Sequence, residues 1–108
     1  MIFERRRENR STTRLRPGKL ITEAGRFLCD CAVIERSPTG ARVRAFAPVD
    51  DTLPEELFLF EEVESFKWRA RIIWAKGAEL GLELASSSLP VDDAERHRIA
   101  GRFYAVGN

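Results

Sequence analysis

The stretch FKWRARIIWA, residues 66–75, alternates Phe66, Trp68, Ala70, Ile72 and Trp74 with Lys67, Arg69, Arg71 and Ile73. A period of two belongs to a strand with one face turned inward. KGAE (76–79) turns the chain, and LGLEL (80–84) then sets Leu80, Leu82 and Leu84 on one face with Gly81 and Glu83 opposite. Upstream, RFLCDCAVIE (26–35) carries Phe27, Cys29, Cys31 and Val33 on one face and Leu28, Asp30, Ala32 and Ile34 on the other. RSPTG (36–40) breaks that run with turn-forming residues, and ARVRAF (41–46) resumes it, so the two runs read as a hairpin. Two shorter strands complete the set: one over about residues 19–23, entered through Pro17-Gly18, and LFLF (57–60), bounded by acids.

After SSSLP (86–90) the period changes. VDDAERHRIAGRFYA (91–105) has Asp92, Asp93 and Glu95 in its first turn and Arg96, Arg98 and Arg102 later, an order that suits the helix dipole. Ile99 and Phe103 are spaced for one helix face. The fold class is therefore all-β with a C-terminal helix, built as a six-stranded antiparallel (split) β-barrel. The 108 residues suit one domain, with a flexible basic arm over 1–16, the barrel over 17–86 and the helix over 91–105.

The formal net charge of +1 hides an asymmetry. Residues 1–20 hold seven Arg and Lys side chains against Glu4 and Glu8, a net of +5, whereas residues 49–65 hold seven carboxylates and no base. That pattern, with a pI near 7.8, argues against a DNA- or RNA-binding barrel, whose positive charge would be spread over the binding face. It fits a local anion site, or else a solvated tail. No apolar run is long enough to insert in a membrane, and the N-terminus lacks the pattern of a secretory signal, so a cytoplasmic location is expected.

Catalysis is not indicated. His97 is the lone histidine, Cys29 and Cys31 supply too few thiolates for structural zinc, and no nucleophile–base pair stands at a recognisable spacing. Two cysteines on the same side of one strand rarely meet disulfide geometry and read as small buried hydrophobes. Asp50, Asp51, Glu55 and Glu56 do not have the spacing of a calcium loop. No cofactor and no metal is expected.

Two pieces carry chemistry. Arg6 and Arg10 form R-x-x-x-R with Arg5 and Arg7 beside Arg6, and guanidinium grips phosphate in a bidentate fashion and stacks on purines. Glu35, Ser37 and Gly40 in ERSPTG bring a carboxylate, a hydroxyl and a glycine to a hairpin turn, the glycine permitting a positive φ or a close approach. In these two motifs the sequence resembles the PilZ domain family, bacterial receptor domains for cyclic di-GMP, whose pattern is R-x-x-x-R in an N-terminal arm and then [D/N]-x-S-x-x-G after the second strand. GARVRA (40–45) and WRARIIWAKGAELGLELA (68–85) are similar to the family's later strands, so the likeness covers about residues 4–85.

The resemblance implies that cyclic di-GMP is the ligand, with Arg5, Arg6 and Arg10 on phosphates and guanines and with Glu35 and Ser37 at a guanine edge. Gly40 would allow the turn, and Trp74 would support the ligand. It also implies an unidentified protein effector and outputs such as motility and biofilm formation; a monomer or weak dimer is expected, since the helix face of Ile99 and Phe103 can cover the barrel or meet a second subunit. Trp74 has a second reading as core, because the alternation puts it on the face of Phe66, Trp68 and Ile72. The sequence departs from the family at position 35, where glutamate replaces Asp or Asn, and at Arg36, where an apolar residue is usual; as charged side chains both could pair with neighbours instead. PilZ-like domains that have lost ligand binding serve as protein adaptors, and that alternative stays open here.

Overall fold

The computed structural model describes residues 16–47 and 53–99. It is a closed six-stranded antiparallel barrel with one short C-terminal helix. The strands are β1 (Arg16–Ile21), β2 (Phe27–Ser37), β3 (Gly40–Ala45), β4 (Glu56–Glu61), β5 (Phe66–Lys76) and β6 (Glu79–Pro90). Around the barrel they run β1-β2-β3-β6-β5-β4, and β4 closes back on β1 through pairs such as Leu20↔Leu59. Helix α1 covers 93–99 of the expected 91–105, residues 91–92 preceding it; Phe103, with the other residues from 100 onward, lies outside the described residues.

The inward alternation fills the barrel. Leu20, Cys31, Val33, Val43, Leu57, Leu59, Leu80 and Leu82 are all buried in one cluster. A second cluster lies outside the barrel wall, where Ile21, Phe58 and Phe60 meet Val91 and Ile99 under the helix. That is why LFLF has no polar position: Leu57 and Leu59 face the interior while Phe58 and Phe60 face the helix. Asp92 caps α1, its Oδ1 accepting the Glu95 amide at 2.8 Å, and an ion pair from Lys67 to Glu95 ties the helix to β5.

Two boundaries and one stretch of alternation differ from the sequence expectation. β1 begins at Arg16, so Pro17 and Gly18 lie inside the strand rather than ahead of it. Pairing overrides the local turn signal, since the Pro17 carbonyl still accepts the Glu62 amide at 3.3 Å. β6 does not stop before SSSLP but continues to Pro90, because β5 supplies partners there in Trp68↔Ser88 and Phe66↔Pro90. The alternation of β5 is also broken: between Ile72↔Leu82 and Trp74↔Gly81 one extra residue, Ile73, bulges out. A single inserted residue moves the next side chain to the opposite face. Trp74 therefore lies on the outer surface, 42% exposed, and the core reading of it is overturned. Ala70 is buried, and Trp68 and Ile72 still pack against the core.

Candidate functional site

The β2–β3 hairpin closes through a two-residue turn, Pro38-Thr39, with Ser37 paired to Gly40. Proline fixes φ at the first turn position. Ser37 Oγ lies 3.4 Å from the Gly40 carbonyl, the outer limit of a weak hydrogen bond. Of the two uses the sequence allows for glycine at position 40, a positive φ is not the one found; among the described glycines Gly25 and Gly77 have one. Space at position 40 is tight instead, because a Cβ there would stand 3.0 Å from the Leu82 carbonyl oxygen on β6.

Beside this turn the outer wall forms an open cleft of about 490 Å³. Glu35, Ser37 and Gly40 line one side, and Trp74 and Gly81 line the other. Four residues singled out in the sequence, Glu35, Ser37, Gly40 and Trp74, are thus brought together from β2, β3 and β5. Sequence reasoning missed Gly81 and Arg42. The indole of Trp74 lies flat on the Gly81 backbone, where a Cβ would come within 2.0 Å of Nε1. A glycine inside a strand often marks such a close approach, and that was the available signal. Arg42 was legible only as an outward position beside Val43.

Arg42 links the cleft's charges. Its guanidinium reaches both Glu35 oxygens at 3.2–3.3 Å and Glu79 Oε1 at 2.8 Å. Arg44 holds the other Glu79 oxygen at 2.9 Å. Hydrogen bonds from Arg44 and then Arg42 hold the Glu79 carboxyl below its usual range. Bonds to Glu35 and Glu79 push the Arg42 guanidinium up, so it stays charged at any accessible pH. Glu35 remains largely exposed, with a side-chain accessibility of 62%, so its outer lone pairs are open to a ligand.

Arg36 turns inward to anchor the turn. Its Nε donates to Glu61 Oε2 at 3.1 Å, Nη1 donates to the Ser37 carbonyl, and its guanidinium carbon lies 4.6 Å from the Trp68 ring centroid. Trp68 Nε1 donates to the other Glu61 oxygen at 2.8 Å. Glu61 comes after Leu57 and Leu59 on the inward alternation and closes the barrel mouth as a buried, fully partnered carboxylate.

Arg5, Arg6 and Arg10 lie outside the described residues. Arg16, the first described residue, stands opposite Val33, toward the end of β2 that carries Glu35 and Ser37. Among the described residues no group of three or more His, Cys, Asp or Glu is placed to hold a metal ion, and no helix is long and apolar enough to cross a membrane. No family model, curated protein or solved structure matches this chain.

Proposed function

We propose that this chain is a cyclic di-GMP receptor domain of the PilZ type, without catalytic activity, whose basic N-terminal arm closes over ligand held in the outer cleft and presents a new surface to a protein partner in the cytoplasm. The observation that carries this reading is the convergence of Glu35, Ser37, Gly40 and Trp74 on one cleft from three strands. A carboxylate and a hydroxyl suit the donor edge of guanine, and an exposed indole suits a purine face. The place of Arg16 supports the arm's role. Arg10 precedes Arg16 by six residues, at most about 20 Å of extended chain, which keeps its guanidinium within reach of the cleft. Ordering the arm costs entropy that charge-assisted phosphate contacts offset.

One observation favours the adaptor alternative: Arg42 already occupies Glu35, so a guanine must share that carboxylate. Calorimetry separates the two readings. A receptor gives saturable heat with cyclic di-GMP that is lost in Arg6→Ala/Arg10→Ala. Absence of heat up to high micromolar ligand favours the adaptor reading, and parent-like binding by the double arginine variant removes the arm from the mechanism.

A further inference from the structure

Trp74 and Arg42 also wall a second hollow, open and about 610 Å³ in volume, which Arg44, Lys76 and Glu79 complete. It lies toward the β5–β6 turn, on the far side of the residues that line the cleft. Arg42 and Arg44 are two apart on β3, so both side chains leave its outer face. Glu79 stands between them and Lys76, opposite Arg44 on one side and opposite Lys76 on the other. Three cations from two strands thus surround one carboxylate.

Both oxygens of that carboxylate are engaged, Oε1 by Arg42 at 2.8 Å and Oε2 by Arg44 at 2.9 Å. Lys76 has no ion pair among the described residues. Arg44 gives a single N–H to Glu79, which leaves most of its five donors uncommitted. With Arg42 also paired to Glu35, the three cations face two carboxylates, and the hollow carries an excess of one positive charge, with guanidinium donors and an ammonium beside an exposed indole. An anion with several oxygens, above all a phosphate, relieves that excess.

We propose that this hollow is an anion subsite, in which Arg44 and Lys76 hold a phosphate of a nucleotide ligand that lies across Trp74 with its base at Glu35 and Ser37. The anion chemistry stands on the hollow alone; only the ligand's identity rests on the receptor reading. The subsite selects ligands whose phosphate reaches past the indole, and it disfavours a free nucleoside.

Two NMR titrations of the full chain at low ionic strength test it. Inorganic pyrophosphate is expected to shift Arg44, Lys76 and the Trp74 indole N–H saturably, and the shifts are lost in Arg44→Gln/Lys76→Gln. Both side chains are exposed and glutamine can still donate to Glu79, so unchanged core amide positions verify that the variant is folded. Cyclic di-GMP is expected to bind that variant about tenfold or more weakly than the parent. Pyrophosphate shifts that are absent, that persist in the variant, or that spread equally over Arg26, Arg96 and Arg98 overturn the subsite. Pyrophosphate shifts with no cyclic di-GMP binding by the parent overturn the receptor reading and support the subsite for another phosphate compound.

Discussion

Strands β4 and β6 both send alternate leucines into the barrel, yet their outer faces have opposite fates. Behind Leu57 and Leu59, the outer side chains Phe58 and Phe60 are sealed under α1 by Val91 and Ile99. Behind Leu80, Leu82 and Leu84, the outer positions are Glu79, Gly81 and Glu83, and the indole laid over Gly81 stays 42% exposed. One wall has its second apolar layer from the chain itself; the other offers an uncovered aromatic edged by ion pairs. The first is where stability resides. The second is an exposed surface that a ligand can reach without opening the core.

The contrast can be broken most directly at Phe60, which is 2% exposed. Phe60→Ala is expected to lower unfolding free energy by about 3–5 kcal/mol in urea titration, whereas Trp74→Ala is expected to stay within about 1 kcal/mol of the parent. Equal losses would erase the distinction between the two walls.

Next in size is the ion pair that anchors the turn. Arg36→Ala strands the buried Glu61 carboxylate and is expected to cost about 3 kcal/mol, with most of the loss regained when Arg36→Met is combined with Glu61→Leu. No loss on the single substitution would mean that the Arg36–Glu61–Trp68 contacts do not hold the turn down.

Gly81→Ala sharpens the comparison, since its Cβ would stand 2.0 Å from the indole. An exposed indole can swing away, so the unfolding midpoint is expected to move little while Trp74 fluorescence and cyclic di-GMP affinity both change. Parent-like affinity would show that the indole's seat on Gly81 is irrelevant to the ligand.

The smallest effect concerns Cys29 and Cys31, whose thiols burial pushes above their usual range. A raised pKa leaves less thiolate at a given pH. At pH 8 the folded protein is therefore expected to react with a disulfide reagent far more slowly than the urea-unfolded chain, and equal rates would place the thiols outside the core.

The range of each interaction decides how far it was legible in the sequence. The barrel is written in short-range alternation, so the strands and their inward residues could be read directly. The motif residues Glu35, Ser37 and Gly40 are local to one hairpin and were also readable. The position of Trp74 was not settled by the sequence, because one bulged residue, Ile73, reverses the face and nothing in IIW distinguishes a bulge from continued alternation. Nor was the Arg36–Glu61 pair, which depends on the register of strands distant in sequence. The end of β6 was misread because serines that resemble a linker are held by pairing to β5.

The central claim is that the outer cleft receives a guanine dinucleotide. It is tested most directly by titrating the isotopically labelled parent protein with cyclic di-GMP and monitoring amides 35–40 and the Trp74 indole N–H. The account predicts saturable shifts concentrated at those positions, with the amides of Phe58, Phe60 and Ile99 unmoved. Shifts confined to the helix-covered wall, or none at millimolar ligand, would contradict it.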